Sequence, residues 1–157
     1  MRIGFGYDIH PLKKGRPLFL GGVKVNSDRG LEGHSDADVV IHSIMDALLG
    51  ASGQGDIGVH FPNDEISWKG ISSMVLLNRT CILLEKKKYK IKNLDITIVV
   101  EKPKLLTYYP DMIMNIASAL KISEDCINIK ATTNEGIGFI GKGEGIASFC
   151  VTLLEES

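Results

Sequence analysis

Residues 39–49, Val-Val-Ile-His-Ser-Ile-Met-Asp-Ala-Leu-Leu, constrain this chain more than any other stretch. A surface helix keeps one polar side, but here Val39, Val40, Ile41, Ile44, Met45, Ala47, Leu48 and Leu49 run around most of the circumference. Such a helix must be enclosed by other elements. The polar residues Asp38, His42 and Asp46 follow at i, i+4 and i+8, forming a single stripe. Carboxylates and an imidazole on a buried helix have to be paired or bound. Two readings are open: His42 hydrogen-bonds its flanking aspartates, or it ligates a metal while its second nitrogen donates to a neighbouring carboxylate.

The rest of the chain supplies the enclosure. Ser35 offers a capping side chain with Asp38 at the third helical position, and Gly50 or Gly53 a stop, so the spacing predicts a helix over about 36–50. Met1–His10 reads as a strand, Pro17–Val25 as strand segments broken at Gly21-Gly22, and Ser27–Gly33 as a loop. Gln54–Glu65 is loop. Gly70–Lys88 reads as a second helix whose lysines suit the carboxyl end of the dipole. Ile91–Val100, rich in Ile, Thr and Val, is the clearest strand. Tyr109–Leu120 is a third helix with Pro110 in its first turn, followed by strands at Ile127–Thr132 and Ile146–Glu155. With 157 residues and no repeat or linker, the pattern predicts one α+β domain, a sheet covered by three helices.

Composition narrows the function. Eighteen basic against nineteen acidic residues leave no basic excess for nucleic acid. The most apolar run, Ile96–Val100, is far shorter than the ~20 residues of a membrane span. Cys81, Cys126 and Cys150 are odd in number and widely spaced, which suggests neither a disulfide framework nor a thiolate zinc site and fits a reducing compartment. Asp8, Gly4 and Gly6 interrupt the opening residues where a signal peptide would be apolar, so a cytoplasmic protein is expected.

Three constellations can carry chemistry. Asp8 and His10, two apart on a strand, share a face and can converge on one ion while Ile9 faces the core, although the pair taken alone reads first as a strand end at the surface. Joined by His42, they make one carboxylate and two imidazoles with a fourth position open, a catalytic zinc pattern. His34 and Ser35, at the start of the first helix, can either cap it or complete a phosphate site with its amides. Thr132, Thr133, Asn134 and Glu135 precede the glycine-rich stretch 136–145. They form either a polar turn or a site where hydroxyls meet phosphate and Glu135 takes an oxygen-preferring cation. Two nucleotide motifs fail in context. Residues 53–58 fit G-x-G-x-x-G but follow a helix, and residues 136–142 fit a P-loop start but lack its Ser or Thr and run into β-type sequence.

The motifs RIGFGYDIH, HSDADVVIHSIMDALLGA, GDIGVHFP, EKPKLL and KATTNEGIGFIGKGEGIA, in that order over essentially the whole chain, resemble the 2-C-methyl-D-erythritol 2,4-cyclodiphosphate synthase family of the non-mevalonate isoprenoid pathway. The resemblance implies a ferredoxin-like α+β protomer in a homotrimer with active sites between subunits. It implies a metal-dependent lyase that cyclises 4-diphosphocytidyl-2-C-methyl-D-erythritol 2-phosphate and releases CMP. Asp8, His10 and His42 would hold Zn²⁺, and Glu135 would hold Mg²⁺ or Mn²⁺. His34 and Thr133 would be catalytic, with Ser35, Thr132 and Asn134 near the phosphates. Asp56, Ile57 and Gly58 would bind ribose or methylerythritol, and Phe61, Pro62, Asn63, Asp64 and Glu65 would line the pocket. Val100, Glu101, Lys102, Pro103, Lys104, Leu105 and Leu106 would read cytosine.

The resemblance also implies a cavity on the threefold axis that takes an isoprenoid diphosphate. Phe139 matches there, whereas Lys142 stands where many members have Arg and loses the bidentate fork. Asn134 stands where Thr is common. The competing reading is a metal-stabilised module that binds nucleotides or isoprenoid diphosphates without turnover. Retention of His34, Thr133 and Glu135 together favours the enzyme.

Overall fold

The computed structural model describes residues 1–62 and 70–156. The chain runs β1 (Arg2–Lys14), β2 (Leu18–Leu20), β3 (Val23–Val25), β4 (Arg29–Leu31), α1 (Val39–Ala51), α2 (Ile57–His60), α3 (Ser73–Lys86), β5 (Tyr89–Val99), α4 (Tyr109–Leu120), β6 (Ile127–Thr132), α5 (Gly138–Gly141) and β7 (Gly145–Glu156), with single 3-10 turns at Leu106–Tyr108 and Glu124–Cys126. The main sheet has five strands in the order β4-β1-β7-β5-β6, and β2 and β3 form a separate hairpin. β5 and β6 are parallel, joined by α4, while the other neighbours are antiparallel. This is the mixed α+β sheet expected.

α1, α3 and α4 cover one face of the sheet. α1 lies on β1 and β7 and touches α3, which in turn packs on α4. The expectation of an enclosed first helix holds, since Val39, Val40, Ile41, Ile44, Met45, Ala47, Leu48 and Leu49 have no exposed surface. Against it lie Leu94, Ile96 and Ile98 of β5, Ile129 of β6, and Ile146, Cys150 and Leu154 of β7. Proline opens α4, and Lys121 ends it in the left-handed conformation (φ 56°).

Four local expectations change, the first being that the expected loop at Gln54–Glu65 contains α2. α1 starts at Val39 with Asp38 as its cap, accepting from the Val40 and Ile41 amides. Ser35 is not the cap; its hydroxyl accepts from the Ala37 amide in the preceding turn. The expected loop at Ser27–Gly33 contains β4, which pairs Leu31 with Leu12 and Arg29 with Lys14 because β1 continues to Lys14, beyond the expected His10. Ile9 does not face the main core. It packs on the opposite side with Val99, Ile140 and Ala147.

That opposite face carries apolar side chains that no helix among the described residues covers. Ile3, Phe5 and Tyr7 of β1 and Val151 of β7 are 75, 62, 44 and 43 % exposed, and the ring of Phe149 lies 4.9 Å from that of Tyr7 and 6.1 Å from that of Phe5. Among the described residues, no helix is long and apolar enough to cross a membrane.

Candidate metal centre and its pocket

Alternation along β1 puts Gly4, Gly6, Asp8 and His10 on the helix-covered face. The two glycines let α1 seat directly on the strand. A Cβ at Gly4 would lie 1.9 Å from the Ala47 carbonyl oxygen, and one at Gly6 1.9 Å from that of Ser43. This close approach brings His42 over Asp8. Nδ1 of His42 is 2.9 Å and Nε2 of His10 3.1 Å from the same oxygen, Oδ2 of Asp8. One donor atom from each of the three residues falls within 4.8 Å of the others. His42 is only 7 % exposed.

Hydrogen-bond accounting shows why this set fits a cation. Nδ1 of His10 is 2.7 Å from the Glu32 carbonyl oxygen, which only accepts, so the ring's proton sits there and the Nε2 lone pair turns toward Asp8. Without an ion, a proton takes the central place. Burial pushes the Asp8 carboxyl up, but hydrogen bonds and charge from His10 and His42 outweigh it and hold Asp8 well below the ordinary carboxylate range. Burial pushes His10 down, and the Asp8 hydrogen bond and charge, with the Glu32 carbonyl, raise it above its usual value. An anionic carboxylate facing two imidazoles in a half-buried cleft is a divalent-cation site in its donor chemistry.

The first sequence reading, in which His42 hydrogen-bonds its flanking aspartates, does not hold, and the second nitrogen expected to meet a carboxylate does not meet one directly. Asp38 is fully buried and accepts from the amides of Gly21, Gly22, Val40 and Ile41 at 2.7 to 3.2 Å, which ties the β2–β3 turn to the start of α1. It also occupies first-turn amides that the phosphate reading of the helix start required. Asp46 accepts from the Ile57 amide at 2.9 Å and anchors α2. Nε2 of His42 instead meets two hydroxyls, Ser73 at 3.0 Å and Ser35 at 3.3 Å.

The triad opens into a pocket of about 180 Å³ lined also by His34, Ser35, Met45, Ile57, Gly58, Phe61 and Leu76. The sequence reading gave no site role to Met45, Leu76, Asp36 or Ser73. Met45 and Leu76 carry no signal beyond apolar periodicity, whereas Ser73 follows Ser72 at the start of α3, where a capping hydroxyl is readable. Asp56 caps α2 through the Val59 amide at 3.1 Å, and Pro62 follows that helix half-buried. Asn63, Asp64 and Glu65 lie outside the described residues.

The remaining expected residues sit elsewhere in the chain. Glu101, Lys102, Pro103 and Lys104 line a groove of about 830 Å³ together with Lys142. Leu105 is buried in the core and Leu106 is 74 % exposed. The Val100 amide donates to the Thr132 carbonyl, and Glu101 accepts from the Asn134 amide at 2.7 Å, which fastens the turn after β6. In that turn the Thr133 hydroxyl donates to Glu135 and accepts its amide, both at 3.2 Å. Glu135 has a φ of 52°. The turn is exposed, and Phe139 is 53 % exposed. Ile9, Ala147, Val99 and Thr132 are partners across β1, β7, β5 and β6. Three strand spacings, about 14 Å, therefore separate the two groups along the sheet.

The fold and the triad define a class: an α+β protein whose opening strand and buried helix converge one carboxylate and two imidazoles on a divalent-cation site. The sequence profile of the YgbB family matches residues 1–155, and the chain belongs to that family. It is 56 % identical over 156 residues to the 2-C-methyl-D-erythritol 2,4-cyclodiphosphate synthase of Clostridium novyi, covering 99 % of each chain. Its fold is similar to that of IspF from Plasmodium falciparum in complex with CDP (TM-score 0.87, 39 % identity, 99 % of this chain and 96 % of that one). It is also similar to the bifunctional IspDF of Campylobacter jejuni (TM-score 0.96, 40 % identity), covering 99 % of this chain and 42 % of that longer one.

Proposed function

We propose that this chain is a lyase of isoprenoid precursor biosynthesis that converts 4-diphosphocytidyl-2-C-methyl-D-erythritol 2-phosphate to 2-C-methyl-D-erythritol 2,4-cyclodiphosphate and CMP. The observation that carries the reading is the convergence of Asp8, His10 and His42 at the mouth of a pocket that also holds His34 and Ser35. Two imidazoles, one carboxylate and an open fourth position suit Zn²⁺. Glu135 belongs to no group of three or more metal-ligating side chains among the described residues, which suits Mg²⁺ or Mn²⁺ that draws its other ligands from substrate phosphates and water. The bound cations supply Lewis-acid neutralisation of phosphate oxygens.

The reaction needs no side-chain nucleophile. An oxygen of the 2-phosphate attacks the β-phosphorus of the same molecule, the bond from that phosphorus to the bridging oxygen breaks, and the electron pair leaves with CMP. Because both ends are tethered, the residues have only to hold a bent substrate and stabilise charge. His34 and Thr133 position the transferring phosphoryl group, and Ser35, Thr132 and Asn134 bind phosphate oxygens. Asp56, Ile57, Gly58, Phe61 and Pro62, with Asn63, Asp64 and Glu65, enclose the methylerythritol and ribose. The backbone of Val100 to Leu106 reads cytosine.

The protomer is ferredoxin-like and works as a homotrimer, in which the Thr132–Glu135 turn of one subunit completes the metal pocket of the next. The ~14 Å between those groups within a chain and the uncovered apolar face around Phe5, Tyr7 and Phe149 support that assembly. The cavity on its axis takes an isoprenoid diphosphate beside Phe139 and Lys142. The test is CMP release from the substrate by purified protein with Mg²⁺ added and zinc measured on the same sample. Release with formation of the cyclic diphosphate is expected. A folded, zinc-loaded trimer that releases no CMP would reject the enzymatic reading in favour of a binding protein.

A further inference from the structure

His42 must present a lone pair, not a proton, on Nδ1 if it is to ligate a cation beside Asp8. The residues behind its ring decide this. Asp36, in the turn before α1, accepts twice from a single residue of α3: its Oδ2 takes the Ser73 amide at 2.9 Å, and its Oδ1 takes the Ser73 hydroxyl. Oδ1 also accepts from the Asp38 amide at 3.3 Å. Ser73 is completely buried, and a hydroxyl has only one proton to give. With that proton committed to the carboxylate, the Ser73 oxygen can only accept from Nε2 of His42, 3.0 Å away. Ser35, 3.4 Å from the Ser73 oxygen, already accepts the Ala37 amide, and its own proton remains free for Ser73 or the pocket.

We propose that Asp36, acting through Ser73, is a positioning residue that holds the His42 proton on Nε2 and thereby directs the Nδ1 lone pair into the cation site. The relay rests on reading Asp8, His10 and His42 as that site. It recruits a carboxylate through an intervening hydroxyl, an outer shell of the kind that fixes ligand tautomers. It also links α3 to the metal centre, since the carboxylate that takes the first-turn amide of α3 is the one that polarises Ser73.

Asp36→Asn inverts the relay with almost no change of shape. With the amide oxygen kept on the shorter of its two backbone contacts, the Ser73 amide at 2.9 Å rather than the Asp38 amide at 3.3 Å, the NH₂ group donates to the Ser73 oxygen and the Asp38 amide loses its acceptor. The Ser73 proton is then released toward Nε2 of His42, and the ring is pushed to the tautomer that carries its proton on Nδ1. Ser73→Ala removes the acceptor and keeps the backbone amide on Asp36.

The probe is Zn²⁺ alone, titrated into cation-free protein by competition with a chelator and followed by ¹H–¹⁵N NMR of the loaded histidines. In the unsubstituted protein, the Nε2 proton of His42 is expected to be visible and protected from exchange. In Asp36→Asn, that protection should fall at least tenfold and Zn²⁺ affinity by about 10- to 100-fold. Ser73→Ala should move both in the same direction by less, because Ser35 stands by as an acceptor. The Nδ1 proton of His10, held by Glu32, is the internal control and should not change.

Folded variants whose His42 proton and Zn²⁺ affinity stay within twofold of the unsubstituted protein would overturn the relay, even if their melting temperatures fall, as loss of a helix cap alone would cause. If Asp36→Asn does not fold, Ser73→Ala decides. If the unsubstituted protein binds no Zn²⁺, the cation-centre reading itself fails, a result separate from failure of the relay.

Discussion

The two candidate functional regions of this chain are built in opposite ways. The Asp8–His10–His42 centre stands on a strand and a buried helix, with each ring held from behind by a carbonyl or a hydroxyl. The Thr132–Glu135 turn is exposed and holds itself together chiefly through its own side chains and the Glu101 carboxylate. A site on rigid elements is set before any ligand arrives. A turn that projects Glu135 outward, with a left-handed backbone whose conformational cost is of order 1–3 kcal/mol, has no such frame around it, which agrees with the proposed contacts to substrate phosphates and a neighbouring pocket.

Substitutions at the two regions should therefore fail differently. His42→Ala should abolish stoichiometric Zn²⁺ binding and lower CMP release by about 10³-fold, ~4 kcal/mol of transition-state stabilisation, with the fold retained. Full zinc content by elemental analysis would remove His42 from the ligand set. Glu135→Gln should leave zinc content and melting temperature unchanged and reduce Mg²⁺-dependent turnover by about 10²-fold. An unchanged Mg²⁺ titration would take Glu135 out of the site and erase the contrast between the two regions.

The third effect tests why the buried centre is rigid. Gly6→Ala places a methyl group against the Ser43 carbonyl, where a Cβ would sit at 1.9 Å, so α1 has to retreat from β1 and carry His42 away from Asp8. The expected cost is about 1–3 kcal/mol of stability, as for other overpacked cores, with weaker Zn²⁺ binding on top. Denaturant melts and zinc titration on the same variant check it. Unaltered zinc affinity in a destabilised protein would show that the close approach of helix and strand serves packing alone.

How much of this was readable in advance depended on whether a signal is local. The burial of α1 followed from its apolar circumference, and the convergence of Asp8, His10 and His42 from a two-residue spacing on a strand plus one histidine on that helix. The seating of α1 on Gly4 and Gly6 is an interaction between elements, and no periodicity encodes it. The true cap was misplaced by three residues because Ser35 and Asp38 both have capping side chains. The choice between them was made by the Gly21 and Gly22 amides, which reach Asp38 only in the folded chain. β4 was hidden for a similar reason: Arg29–Leu31 has no strand pattern of its own and pairs only because β1 overshoots. The Asp36–Ser73 relay joins residues 37 apart and was invisible for the same reason.

The smallest effect separates the proton from the ion at the buried centre. In cation-free protein, Asp8 is held below its unfolded value of 3.8 and His10 above its unfolded 6.5. The depressed carboxyl stabilises the fold above its unfolded value and loses that contribution as pH falls through its folded value. The raised imidazole stabilises below 6.5 and loses its contribution as pH rises through its folded value. Above that point Asp8 is an anion facing a neutral His10 ring, and the cation meets no competing proton on His10. The cation-free protein should therefore melt a few degrees lower as pH rises from 6 toward 8, while the Zn²⁺-loaded protein should not, so the gap between the two widens. Glu135→Gln should show the same widening, because its turn is remote from the titrating pair, and His42→Ala should show no gap at any pH. A constant gap in the unsubstituted protein would mean that no proton occupies the place between Asp8 and the two imidazoles, and the centre would then be rigid for reasons other than charge.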